Sequence, residues 1–180
     1  MTKIAVFVGS LREQSFNKSL AHSLEKLAPE GVKFKYVDIN LPLFNQDLET
    51  NYPVEAKAVK DIVESSDAVL FVTPEYNRSI SGVLKNAIDW ASRPWGTNSF
   101  NGKPVGIVGA SGGPTGTAVA QSDLRHIVAF LNTKLMGQPE VYIANADDVF
   151  NEAGELADER WRKNLTEYMK SFVAHIKQYQ

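Results

Sequence analysis

Three short stretches of this chain carry residue types that hold ligands, and each stands directly after an apolar run. Pro74-Glu75-Tyr76-Asn77 follows Ala68–Thr73. Pro74 lacks an N–H and has a fixed φ, so it ends a strand and leaves Tyr76 and Asn77 on a loop at the strand's carboxyl end. An aromatic face beside an amide that both donates and accepts suits a planar, hydrogen-bonding ligand. Gly9-Ser10-Leu11-Arg12-Glu13-Gln14-Ser15-Phe16-Asn17-Lys18 follows Ile4–Val8 and runs into a helical pattern. A helix N-terminus offers free N–H groups and partial positive charge. Ser10, Ser15 and Asn17 add short polar groups and Arg12 a rigid fork, so this stretch suits a phosphate. It lacks both the Gly-x4-Gly-Lys-Ser/Thr spacing and the Gly-x-Gly-x-x-Gly spacing, since Gly9 stands alone. Taken by itself it also fits Ser15 as a plain helix cap and Arg12 as a solvated side chain. The third stretch, Gly109-Ala110-Ser111-Gly112-Gly113-Pro114-Thr115-Gly116-Thr117, holds four glycines in nine residues. Such a backbone can approach a ligand closely and expose its N–H groups, although a tight turn before a helix needs little else.

The elements that must position these stretches alternate. Ile4–Val8 reads as a strand covered on both faces. Leu20, Ala21, Leu24, Leu27 and Ala28 form a helical stripe that Pro29-Glu30-Gly31 closes. Val32 to Asp38 alternates as a strand nearer a sheet edge, and Val54, Ala58 and Ile62 mark a second helix. After the strand 68–73, Ile80, Val83, Leu84, Ala87, Ile88 and Ala91 form a third helical stripe. A strand over 104–110, a helix over 117–131, a strand at Val141-Tyr142-Ile143 and a helix over 156–177 complete the pattern. Five strands alternating with five helices predict a parallel sheet with right-handed crossovers and helices on both faces. In the order 2-1-3-4-5 the three ligand-type stretches lie side by side, at the topological switch point. No repeat or linker divides the chain, so residues 1–180 read as one domain. The longest loops, 39–52 and 92–101, are expected to rim the same crevice or to be plain surface loops.

Composition excludes several chemistries. The net charge is −2 over 180 residues and the pI is near 5.9, so no global positive field draws nucleic acid or an anionic membrane. Cysteine is absent, which removes disulfides, thiol nucleophiles, Fe–S clusters and Cys-ligated zinc. His22, His126 and His175 are far apart on helical stretches, with no paired spacing that would hold a metal. No basic segment followed by an apolar one opens the chain, and no apolar run approaches the ~20 residues that span a bilayer. A cytoplasmic protein is expected.

Gly9-Ser10-Leu-Arg12-x-x-Ser15-Phe16-Asn17, Pro74-Glu75-Tyr76-Asn77 and Leu84-Lys-Asn-Ala-Ile-Asp-Trp90 together resemble the NAD(P)H-dependent FMN reductase family, which includes quinone, chromate and azo reductases. The resemblance extends over essentially the whole chain. It implies a flavodoxin-like fold with non-covalent FMN and NADH or NADPH as electron donor. By the same resemblance, Ser10, Arg12, Ser15, Phe16 and Asn17 hold the phosphate and ribityl end. Pro74, Glu75, Tyr76 and Asn77 border the isoalloxazine, and Ser111, Gly112 and Gly113 its far edge. The implied acceptors are quinones, flavins, azo compounds or metal oxyanions, and the implied assembly is a homodimer or homotetramer. Arg78 and Ser81 depart from the commoner residues at their positions. Arg78 sits at the expected mouth, where it could draw the phosphates of NAD(P)H or serve as a solvated or interface residue.

Flavin chemistry asks the protein to place the ring and tune it rather than to supply a nucleophile–base pair. That agrees with a chain in which Asp89 reads as structural and Lys85 pairs with it at i,i+4. Two other classes stay open at the level of sequence. A flavodoxin-type electron carrier would be strongly acidic, unlike this chain. A dinucleotide-binding regulatory domain, with Asp38 on a ribose, would need the missing glycine fingerprint.

Overall fold

The computed structural model describes residues 1–180. In chain order the elements are β1 (Thr2–Val8), α1 (Phe16–Leu27), β2 (Val32–Tyr36), α2 (Val54–Glu64), β3 (Ala68–Val72), α3 (Gly82–Ala91), β4 (Pro104–Ala110), α4 (Ala118–Phe130), β5 (Lys134–Leu135), β6 (Tyr142–Ile143) and α5 (Glu159–Lys177). All strand pairings are parallel, and the order is β2-β1-β3-β4-β5, with β6 also paired to β4.

Every residue of β3 and β4 is buried. Their side chains alternate between two cores because successive residues of a strand point to opposite faces. Ile4, Val6, Leu70 and Val72 pack beneath α1 and α5 against Leu20, Leu24, Met169 and Phe172. Ala5, Phe7, Val69 and Phe71 pack beneath α2, α3 and α4 against Val59, Leu84, Leu124 and Val128. Burying each large side chain contributes about 1.5–3 kcal/mol. This covering of both faces gives the flavodoxin-like layering that the alternating pattern predicted.

One expectation needs correction. The sheet edge beside β4 is not one strand at 141–143 but two short ones. Lys134–Leu135 pairs with Pro104–Val105 at the start of β4, and Tyr142–Ile143 pairs with Gly109–Ala110 at its end. Between them stands Pro139, which has no N–H to give to a ladder. The helix marked by Val54, Ala58 and Ile62 is α2; its buried residues are Ala56, Val59 and Val63, with Ile62 partly buried against the same core. A run of strict fours drifts about 40° around a helix per step, whereas steps of three and four stay in line. Val54 and Ala58 are exposed, as is the Lys57–Asp61 pair at 2.9 Å.

The register places the three ligand-type stretches together. Val8, Val72 and Val108 are direct neighbours across the sheet, so the chain leaves β1, β3 and β4 at one level. Gly9 donates to the Val72 carbonyl at 2.8 Å and Thr73 to the Val108 carbonyl at 2.9 Å. A Cβ on Gly9 would stand 2.9 Å from Cδ of Pro74, so glycine is what allows the first two loops to touch.

Candidate functional site

A cavity of about 230 Å³ lies where these loops meet. From the first loop it is lined by Ser10, Arg12, Ser15, Phe16 and Asn17, from the second by Pro74, Glu75 and Tyr76, and from the third by Ala110, Ser111 and Gly112. Ten of the twelve residues expected from the sequence therefore converge. Asn77 and Gly113 stand just outside the lining, and Ala110, which has no distinctive side chain, is the addition.

At one end the chain builds an anion site. Ser15 is the N-cap of α1, its Oγ accepting from the Asn17 amide at 3.2 Å. Ser10 is buried, and its Oγ accepts from the Arg12 amide at 3.3 Å. No acidic residue occupies the first turn of α1, so the positive end of the helix is not neutralised there. The Arg12 side chain is exposed, its guanidinium 6.0 Å over the Phe16 ring. Asn17 has a second task. Its side-chain amide donates to the Ala110 carbonyl at 2.9 Å and accepts from the Ala110 N–H at 3.0 Å. That pair ties the start of α1 to the end of β4.

The second loop is a tight hairpin. Tyr76 and Ser79 exchange backbone hydrogen bonds of 2.9 and 3.0 Å, with φ of 52° at Asn77 and 66° at Arg78 between them. A turn with both central residues left-handed suits Asn but costs about 1–2 kcal/mol at Arg. Tyr76 is 53% exposed, so its ring is free to meet a ligand face.

Glu75 is turned away from solvent. Its Oε2 accepts from the amides of Val119 at 3.0 Å and Ala120 at 3.1 Å. Its Oε1 lies 3.4 Å from both the Thr115 hydroxyl and the Arg78 guanidinium. Helix α4 has no side-chain cap of its own, since Thr117 at the N-cap has φ 72°. Glu75 supplies that cap from another loop, and the carboxylate also meets the positive end of the helix.

The third wall hangs on the split sheet edge. Ser111 donates its N–H to Ile143 at 2.9 Å and accepts from Ala146 at 3.1 Å, and its Oγ accepts from Gly113 at 3.0 Å. A Cβ on Gly109 would run into the Thr73 carbonyl and the Thr117 side chain. Glycine there is a packing requirement rather than a ligand contact.

The remaining motif residues brace the frame. Ser81 is buried, caps α3 by accepting from Leu84 at 3.3 Å, and donates to the Gly9 carbonyl at 2.6 Å. Asn86 holds the Phe44 amide at 2.8 Å and the Pro42 carbonyl at 2.9 Å. Trp90 is fully buried, donates to Pro42 at 2.8 Å, and packs edge-on against Phe44 and Tyr52. Trp90 therefore packs within its own chain. Lys85 and Asp89 pair at 2.8 Å on the helix surface. Loops 39–52 and 92–101 contribute nothing to the lining of the 230 Å³ cavity. The first is clasped to α3, and the second borders a separate hollow beside Phe130. His22 and His126 are exposed, and His175 Nε2 lies 2.7 Å from the Lys134 carbonyl. No helix is long and apolar enough to cross a membrane.

An anion site joined to an open, aromatic-edged wall fits a ligand that carries a phosphate at one end and a flat polar ring at the other. The donor set at each end suits FMN.

Comparison with known proteins points the same way. Residues 2–148 match the NADPH-dependent FMN reductase family. The chain is 50% identical to a 2-hydroxy-1,4-benzoquinone reductase of Burkholderia sp., covering 97% of this chain and 96% of that one. It is 43% identical to a quinone reductase of Pseudomonas putida, with 97% and 94% covered. The solved structure of FerB, a flavoenzyme NAD(P)H:(acceptor) oxidoreductase from Paracoccus denitrificans, superposes with a TM-score of 0.93 at 42% identity, covering 99% of each chain.

Proposed function

The chain belongs to the NADPH-dependent FMN reductase family, enzymes rather than electron carriers, and from that premise we propose how its crevice serves an NAD(P)H-dependent oxidoreductase with FMN as cofactor. Ser10, Arg12 and Ser15 hold the phosphate at the start of α1, on a turn that Asn17 fixes to Ala110. Phe16 covers the ribityl chain. Pro74, Glu75, Tyr76 and Asn77 border the isoalloxazine on one side, and Ser111, Gly112 and Gly113 close its far edge. Bound FMN supplies the two-electron chemistry that links a nicotinamide donor to a small acceptor. The chain's own residues position it and leave one face open, since Tyr76 is half-exposed beside the cavity. No His, Cys or Lys lines the crevice, so the residues act by binding and orientation rather than by proton transfer. Quinones are the acceptors that the relatives' names favour, with free flavins, azo compounds and metal oxyanions as further candidates. The protein acts as a single domain over residues 1–180, in the cytoplasm, as a homodimer or homotetramer.

The observation that carries this reading is the meeting of ten expected residues at the carboxyl ends of β1, β3 and β4. Arg12→Ala tests it directly. A charge-assisted hydrogen bond contributes about 1.5–3 kcal/mol, so the FMN dissociation constant is expected to rise roughly 10- to 100-fold by flavin-fluorescence titration. An unchanged constant would remove Arg12 from the phosphate site.

A further inference from the structure

The crevice has a cation at each end. Arg12 belongs to the phosphate turn. Arg78 stands at the ring wall, its Nη1 3.4 Å from the Oε1 of Glu75, which lines the cavity. We propose that Arg78 selects the electron acceptor, favouring flat acceptors whose ring carries a negative charge, such as quinones with an ionised hydroxyl, over neutral quinones. The proposal rests on the reading of the crevice as a flavin site.

The first support is an unspent charge. The Glu75 side chain is 7% exposed, and its carboxylate is committed to the amides of Val119 and Ala120 and the hydroxyl of Thr115. The Arg78 side chain is 68% exposed, and the 3.4 Å contact with Glu75 is its one polar partner. A guanidinium presents several N–H donors in a flat fork, and most of this fork is unused. Two neighbouring oxygens that share a negative charge, as on a quinone carbonyl beside an ionised hydroxyl, match such a fork.

The second support is the backbone under the side chain. The turn between Tyr76 and Ser79 is left-handed at both Asn77 and Arg78. Asparagine and glycine take up such a turn readily and arginine does not. Strain of this kind gathers at ligand clamps, and here it fixes the base of a long cation beside the crevice. The third support is Tyr76, half-exposed on the cavity wall and two residues away on the same hairpin. An aromatic face holds a flat ring and a neighbouring cation holds its charge. A nicotinamide ring in its reduced form is neutral, and the phosphates of its dinucleotide lie a ribose away, so the charge suited to the ring wall is the acceptor's own.

The electron balance is that of the proposed activity. An electron pair and a proton leave NAD(P)H, which becomes NAD(P)+, and solvent supplies the second proton that completes the hydroquinone. Arg78 changes which quinone is held, a difference of affinities rather than a new step.

The test uses a matched pair, 2-hydroxy-1,4-naphthoquinone, ionised at neutral pH, and its neutral 2-methoxy ether. Each is titrated by calorimetry into the oxidised, FMN-loaded protein, where no turnover occurs, and kcat/KM for each is measured with NADH in excess. Glycine suits the turn, so Arg78→Gly removes the cation without disturbing the hairpin. The preference for the hydroxy compound over the ether is expected to fall about tenfold in Arg78→Gly, in both affinity and kcat/KM. Arg78→Lys is expected to keep at least a third of it. Raising salt from about 0.01 M to about 1 M should shrink the wild-type preference and leave that of Arg78→Gly level. An equal preference in wild type and Arg78→Gly would overturn the proposal. So would a slower anaerobic reduction of Arg78→Gly by NADH or NADPH with the preference retained, which would assign the cation to the nucleotide. Wild type that binds neither quinone and reduces neither would instead overturn the crevice itself, so the two failures are told apart.

Discussion

Glu75 serves two surroundings at once. It lies in the loop that borders the crevice, yet its carboxylate is spent on the amides of Val119 and Ala120 and the hydroxyl of Thr115. Moving this loop means uncapping α4, so Tyr76 and Asn77 inherit the rigidity of a helix they do not belong to. Glu75→Ala is expected to lose about 1–2 kcal/mol of stability in urea unfolding. Glu75→Gln keeps an acceptor for the same amides and is expected to lose less than half as much. Equal losses would mean that the charge, rather than the capping bonds, holds the loop. The sequence made Glu75 visible only as part of a ligand-type motif. Its partners lie 40 to 45 residues away, and no local spacing announces a cap given by another loop. Asn17 is the same lesson at the first loop, since its amide looked like a ligand and is used on Ala110.

Elements were legible where the residue pattern was long and illegible where it was short. β1, β3 and β4 stand out as apolar runs that stop before Gly9, Thr73-Pro74 and Ser111, and those same stops place the loops. Two-residue strands such as β5 and β6 carry no period, so the split edge had no sequence signature. Val54 and Ala58 mark α2 in the sequence yet lie on its exposed face, because residues at strict fours drift around the helix. The joint between α1 and β4 gives a sharp prediction at this scale. Asn17→Ala leaves both the N–H and the C=O of buried Ala110 without their partner. Each unsatisfied buried group costs about 1–3 kcal/mol, so thermal or urea unfolding should show a loss of about 2–5 kcal/mol. Hydrogen exchange at Ala110 should rise in the same variant. A loss below 1 kcal/mol would show that the α1–β4 joint is held by apolar packing alone.

Across the whole molecule, alkaline pH works against the fold through its buried phenols. Burial pushes the Tyr52 hydroxyl up to about 12, with the Glu49 and Glu64 carboxylates adding to the effect. Burial raises Tyr168 further still, in the core beside Ile107, and desolvation with the Glu25 carboxylate raises Tyr36. The sign follows from the proton count. An unfolded phenol releases its proton near 10, while the folded one holds it to higher pH, so the folded state binds more protons between those values. Stability from these groups is complete below pH 10 and is lost as pH rises from there through 12. Melting temperature is expected to be level up to about pH 9.5 and to fall steeply above pH 10. Tyr52→Phe should flatten part of that fall, because Tyr52 donates to the Trp90 carbonyl and its loop is clasped to α3. A melting temperature that holds steady through pH 11.5 would contradict the burial of these hydroxyls.

The central claim is that the crevice at the ends of β1, β3 and β4 lets a nicotinamide donor and a small acceptor exchange electrons through FMN. Anaerobic stopped-flow absorbance of the FMN-loaded protein, mixed first with NADH or NADPH and then with a benzoquinone, reads both halves in one experiment. Loss of the oxidised-flavin band within the first mix and its full return within the second are the predicted result. A flavin band that neither nucleotide bleaches, or that stays bleached after the quinone is added, would contradict it.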